Sequence, residues 1–185
     1  LAPGGDLVWQ IGTGYFGCRD VNGDFDPEVF KQNVAHPQVK MIEIKLSQGA
    51  KPGHGGVLPA SKNTPEIAAI RHIQPGSTVL SPPGHNAFAD VNGLLRFVEQ
   101  LRTLSGGKPV GFKLCIGKAA EITAICQAMR STGMMPDFIT VDGAEGGTGA
   151  APLEFSDNVG MPIVPALMFV NGSLKHYGLK EHIRI

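Results

Sequence analysis

The sequence predicts an α/β fold with a parallel sheet, and within that class a (β/α)8 TIM barrel that is incomplete in this chain. Three observations predict it. Strand-length apolar runs alternate with helix-length amphipathic segments at a spacing of about thirty residues, the pattern of βαβ units. Along the strands Gln10, Glu43, Lys45 and Lys113 fall opposite apolar neighbours. Central strands of a doubly wound sheet are covered on both faces and read as continuous apolar runs, so a polar inner face fits a barrel lumen instead. The glycine-rich loops also follow strands at their C-terminal ends, where barrel enzymes carry their chemistry. A complete barrel takes about 250 residues. These 185 supply five strands and the start of another at HIRI, 182–185.

The first strand is DLVWQI, 6–11, running into GTGYFG, 12–17. That segment is a literal G-x-G-x-x-G, but a dinucleotide site needs a helix opening at its last glycine. Here CRDVNGDFDP follows, with turns at Asn22-Gly23 and Asp26-Pro27, and the Rossmann reading fails. Asp20, Asn22, Asp24 and Asp26 resemble the start of a calcium loop, yet Phe25 and Lys31 stand where glycine and glutamate are required, so they read as solvated turn residues.

Asp26-Pro27 opens a helix to about Ala35, with Pro27 suited to the first helical position. VKMIEIKL, 39–46, is the second strand, with Ile42, Ile44 and Leu46 on one face and Glu43 and Lys45 on the other. Thr64 and Pro65 start a helix whose inner side is Ile67, Ile70 and Ile73, ended by Pro75-Gly76. STVLS, 77–81, is the third strand. Asp90 caps a helix presenting Leu94, Leu95, Phe97, Val98, Leu101 and Leu104. VGFKLCI, 110–116, is the fourth strand, placing Lys113 and Cys115 opposite Phe112, Leu114 and Ile116. A helix over 119–131 presents Ile122, Ile125, Cys126 and Met129, and DFITV, 137–141, is the fifth strand. A proline-interrupted stretch at 161–166 leads into a helix to Leu179.

Apolar content of 42% can fill one core, and 16 basic against 16 acidic residues leave no field to attract nucleic acid. No apolar run reaches the roughly eighteen residues of a membrane helix, and no signal peptide is visible. Cys18, Cys115 and Cys126 lack the spacing of a disulfide frame or a metal site, which points to a reducing, cytoplasmic setting. Leu1 in place of methionine implies a missing N-terminal portion.

KLSQGAKPGHGGVLP, 45–59, has four glycines, little bulk and two lysines, a composition that lets backbone and ammonium groups approach a ligand. Together with SPPGH, 81–85, and VDGAEGGTGAAP, 141–152, with the strand VGFKL between those two, it resembles the FMN-binding barrel domain of glutamate synthase. The resemblance is closest to the shorter, glutamate-synthase-like FMN proteins and covers nearly the whole chain, so 1–185 reads as part of that domain, lacking N-terminal and C-terminal portions.

The resemblance implies FMN at the barrel mouth and reduction of the imine formed from 2-oxoglutarate and ammonia. It gives Lys113 and Lys45 catalytic roles, with the Lys113 cation beside the N1–C2=O edge of the flavin. Gln10, Lys113, Gly146, Gly147, Thr148 and Gly149 become the cofactor-binding residues, and Lys45, Gln48, Lys51, His54, His85 and Asp142 the substrate-binding set. The resemblance also implies a small anionic substrate and, as electron donor, ferredoxin or an NAD(P)H-dependent partner. Iron–sulfur ligands would lie outside the chain. In two loops the chain departs from the larger glutamate synthases: Tyr15 replaces an arginine, removing a bidentate carboxylate clamp, and His54 replaces a glutamate.

Other readings remain open at the level of sequence. Lys113 and Lys45 can pair with Glu43 or Asp142 as a lumen salt bridge, and Cys115 reads as a packing residue. A non-flavin lyase or isomerase using a lumen lysine as a Schiff base, or an inactive piece of barrel, also fits.

Overall fold

The computed structural model describes residues 4–49, 55–71, 73–146 and 151–185. The elements in order are β1 (Leu7–Ile11), α1 (Pro27–Val34), β2 (Val39–Lys45), β3 (Val57–Leu58), a short 3-10 turn (Ala60–Lys62), α2 (Pro65–Arg71), β4 (Val79–Leu80), α3 (Val91–Leu104), β5 (Val110–Cys115), α4 (Ala119–Thr132), β6 (Phe138–Asp142) and α5 (Ile163–His176). Four strands form one parallel sheet in the order β1-β2-β5-β6.

Chain order and sheet order coincide, and the sheet extends one step further. Arg184 bridges Phe138 in parallel, with the Arg184 N–H donating to Asp137 and the Ile139 N–H to Arg184. Thus HIRI continues the sheet beyond β6, as its sequence predicts. Among the described residues the sheet does not close on itself.

Its two faces differ as the period-two pattern requires. Ile42 and Ile44 of β2, Phe112 and Leu114 of β5 and Ile139 of β6 belong to a single core with buried residues of α1, α3, α4 and α5. Those helices stand in one row, α1 against α3, α3 against α4, and α4 against α5. The helix faces predicted for 90–104 and 119–131 are those observed: Leu95, Phe97, Val98 and Leu101, then Ile122, Cys126 and Met129, are all at most 2% exposed.

Local chemistry sets the helix starts. The Asp26 carboxylate accepts from the N–H groups of Glu28 and Val29 at 2.8 and 3.1 Å, and Asp90 from Gly93 at 2.7 Å. Asp20 takes up the turn between β1 and α1, accepting from the Asn22 and Asp24 backbones at 2.8 and 2.9 Å. After GTGYFG the chain turns, with the Tyr15 N–H donating to Gly12 and the Cys18 N–H to Tyr15, and no helix begins until Pro27.

Two expectations are corrected. STVLS does not enter the parallel sheet: only Val79–Leu80 is extended, and it pairs antiparallel with Val57–Leu58 in a separate two-stranded ribbon. The β2–β5 crossover therefore contains the ribbon and α2 as an excursion before α3 returns to the core. Helix α2 belongs to that excursion, so it buries Ala68 while Ile70, predicted to face inward, is 65% exposed. No described helix is long and apolar enough to cross a membrane.

Candidate functional site

The polar face of the sheet carries a continuous hydrogen-bonded row. The Gln10 Nε2 donates to Glu43 Oε1 at 2.6 Å, and Thr140 Oγ1 donates to Glu43 Oε2 at 2.5 Å. Both Glu43 oxygens are thus held, one from the adjacent β1 and the other from β6 across β5, which lets a carboxylate sit only 8% exposed. Because its amide nitrogen faces Glu43, Gln10 has its carbonyl oxygen to offer a ligand as an acceptor.

One layer towards the strand ends, Lys45 and Lys113 are register partners on β2 and β5, and Lys113 Nζ lies 3.2 Å from Asp142 Oδ2. The same Asp142 oxygen accepts from the Gly49 N–H at 3.2 Å, tying the loop after β2 to the end of β6. Ser47 adds a second tie, its hydroxyl bonded to both the N–H and the C=O of Cys115 at 2.9 and 3.2 Å. Glycine is required at position 49 because a Cβ there would sit 1.9 Å from the Gly143 carbonyl.

Beside this row, at the C-terminal ends of β1 and β2, opens a cleft of about 340 Å³. Gln10, Lys45, Ser47 and Gln48 line it with the first loop, Ser81 and Arg71. Arg71 is the residue that sequence reasoning missed. Its guanidinium lies 4.5 Å from the Phe16 ring, and among the described residues it has no carboxylate partner. A basic residue ending a helix just after the glycine-rich loop was the available signal, but one cation in a helix's last turn is commonly dipole compensation.

Of the predicted site residues, then, Gln10, Lys45 and Gln48 meet in one cleft, while Lys113 and Asp142 pair on the neighbouring strands. His85 lies behind the cleft wall, 9% exposed, with Nδ1 3.0 Å from the Tyr15 hydroxyl and Nε2 2.9 Å from the Lys45 carbonyl. The Gly146 N–H donates to the Asp157 carboxylate. Lys51, His54, Gly147, Thr148 and Gly149 lie outside the described residues.

Burial pushes the thiols up, Cys18 to about 12, Cys126 to about 11 and Cys115 in the same direction, so all three stay protonated near neutrality and act as packing groups. Burial lowers the His85 pKa from its ordinary value, favouring the neutral ring. A larger groove, about 880 Å³, runs between the first loop, α1 and α2, lined in part by Arg19, Val29, Ala68 and Ile73; it contains none of the predicted site residues.

A family model described as the conserved region in glutamate synthase matches residues 1–185. The chain belongs to the glutamate synthase family. It is similar to the glutamate synthase large subunit-like protein YerD of Bacillus subtilis (strain 168), with 44% identity over all of this chain and 35% of the relative. It is also similar to an archaeal glutamate synthase (NADPH) of Methanocaldococcus jannaschii, 41% identical over 97% of this chain and 32% of that protein. A ferredoxin-dependent glutamate synthase of Antithamnion sp. is 35% identical over 95% of this chain and 10% of that protein. The chain thus spans about a third of the length of the first two relatives.

Proposed function

We propose that this chain is the part of a flavin-dependent, glutamate-synthase-like oxidoreductase that carries one wall of an FMN-binding (β/α)8 barrel and the 2-oxo acid cleft. The observation that carries the reading is the meeting of two cations from distant segments, Lys45 and Arg71, in one cleft that also holds Gln10 and Gln48. That set matches a small dicarboxylate in charge, with two amides to fix its orientation. Arg71 supplies the planar guanidinium that Tyr15 does not, so 2-oxoglutarate stays the favoured ligand despite the changed first loop.

The adjoining polar face fits a flavin. Lys113 offers a fixed cation, held by Asp142, that would stabilise negative charge on the N1–C2=O edge. Gln10, oriented by Glu43, offers an acceptor suited to the N3–H of the pyrimidine ring. When bound, reduced FMN supplies the hydride that converts the imine of 2-oxoglutarate and ammonia into glutamate. Lys45 and Arg71 would bind the two carboxylates, and Gln48 would orient the carbon to be reduced.

The strands run in chain order along one polar face with the helices on the other, as a barrel wall does. The relatives' names mention NADPH in one case and ferredoxin in another, so the electron donor is one of those two classes. Iron–sulfur ligands and the flavin phosphate site would come from the rest of the protein, which is proposed to work in the cytoplasm.

The test uses the full-length protein. It should be isolated yellow, with absorbance near about 450 nm, and its chemically reduced flavin should be reoxidised anaerobically by 2-oxoglutarate with ammonium, yielding glutamate. A colourless protein whose Lys45 or Lys113 is trapped by borohydride on an oxo acid would replace this reading with Schiff-base chemistry.

A further inference from the structure

Three of the segments that wall the cleft lie far apart in sequence: the first loop, the end of β2 and the loop after β4. One buried chain of hydrogen bonds joins all three behind the cleft surface. A carbonyl can only accept, so the His85 Nε2 carries the proton and donates to the Lys45 C=O at 2.9 Å. The Nδ1 is then an acceptor, and the Tyr15 hydroxyl donates to it at 3.0 Å. The Tyr15 oxygen in turn accepts from the Ala87 N–H at 3.2 Å. Every donor in the chain has an acceptor, and one tautomer alone satisfies it.

The packing leaves little room for another arrangement. Tyr15 is fully buried, with a left-handed backbone at φ 47°, and it meets the His85 ring edge-on at 5.3 Å. Phe88 stacks on the other side of that ring at 5.0 Å, and Phe25 lies against Tyr15 at 5.9 Å. The titratable groups facing the network are Cys18 and Asp24, both acting on the Tyr15 hydroxyl, and Asp24 is held by the Asn86 side chain. A proton added at Nδ1 would turn an acceptor into a donor against a hydroxyl that already accepts from Ala87, leaving its own O–H without a partner.

We infer that Tyr15 and His85 are positioning residues, whose buried hydrogen-bonded chain fixes the Lys45 end of β2 against the two loops that wall the cleft, and that this tie requires a neutral His85. At the first-loop position where the chain departs from the larger glutamate synthases, Tyr15 thus orients the cleft wall. Only the choice of ligand rests on the function proposed above; the tie itself does not.

The experiment uses the full-length protein with 15N-labelled histidine, His85 being assigned by the signal lost in His85→Gln. The expected His85 signal is an Nε2–H imidazole that stays neutral below the usual histidine value of 6.5. In Tyr15→Phe the Nε2–H tautomer should persist, since the Lys45 carbonyl still requires it, while the Nδ1 signal should move to that of an imidazole nitrogen without a hydrogen-bond donor. The same variant should bind 2-oxoglutarate about tenfold more weakly, since Ala87 and Nδ1 lose their buried partner. His85→Gln, which can still donate to the Lys45 carbonyl, should bind better than His85→Ala and lack the weakening of binding expected of the wild type at acid pH. An Nδ1–H tautomer, or ordinary titration of His85 in the wild type, overturns the inference. So does a Tyr15→Phe protein whose Nδ1 signal moves while its affinity is unchanged. A wild type that binds no 2-oxoglutarate overturns the proposed function instead, and the ring spectra then decide the tie by themselves.

Discussion

The polar face of the sheet and the wall of loops beside it meet at the cleft, but their side chains are held by different means. Gln10, Glu43, Thr140, Lys113 and Asp142 are aimed by strand register, each on a strand with buried apolar neighbours. Arg71, Tyr15 and His85 come from the excursion and the first loop, joined by contacts such as Tyr15 to His85 across 70 residues of sequence and His85 to Lys45 across 40. Register is rigid because a one-residue slip would move a whole strand's side chains to the other face. A loop wall has no such constraint, so its geometry depends on a few specific hydrogen bonds and aromatic contacts. Damage to the core should therefore weaken both regions together, whereas damage in the loops should alter binding with little effect on the fold.

The largest effect comes from removing what both regions share. Phe112, fully buried in the centre of the sheet, replaced by Ala should cost about 3–5 kcal/mol in urea unfolding and impair both flavin and oxo-acid binding. If only the loop-wall ligand were lost, the two regions would be less coupled than the common core implies. Arg71→Ala separates them. It should lower 2-oxoglutarate affinity by about 1.5–3 kcal/mol, measured calorimetrically, as expected for a lost charge-assisted bond, with unfolding changed by no more than about 0.5 kcal/mol. An equal loss of flavin affinity would mean that Arg71 serves the polar face as well.

Smaller still is Asp26→Ala, which removes the α1 cap and should cost about 1 kcal/mol of stability without touching ligand affinity. The gentlest probe is pH. Burial keeps His85 neutral in the folded state below its usual 6.5, so the unfolded chain binds the proton first. Stability should be unaffected by this group above that value and should decline as pH falls from there through the lowered folded value. His85→Gln should flatten the decline in a comparison of melting temperature against pH, and an identical slope in both proteins would sink the assignment.

Much of the sheet could be read directly. The alternation in VKMIEIKL and VGFKLCI places Glu43, Lys45 and Lys113 on one face because strand geometry is local and has period two. STVLS has the same β-branched composition as a sheet strand, yet it forms a ribbon with Val57–Leu58, since propensity does not choose a partner. Ile70 misled for a related reason: helical spacing shows that a face exists, but not whether a sheet lies beneath it. Tyr15 could be seen to replace a clamp, but not that its hydroxyl would turn inward to His85.

Sequence alone determined the βα alternation, the polar strand face, the helix caps at Asp26 and Asp90 and the family, because each depends on neighbouring residues or on motifs kept in order. Tertiary structure decided that Arg71 joins Lys45 in the cleft, that Asp142 holds both Lys113 and the Gly49 backbone, and that His85 bonds to Tyr15 and the Lys45 carbonyl. Those contacts join segments tens of residues apart: strand pairing brings Asp142 to Lys113, whereas the folding of the excursion back onto the strand ends brings Arg71 and His85 to the cleft.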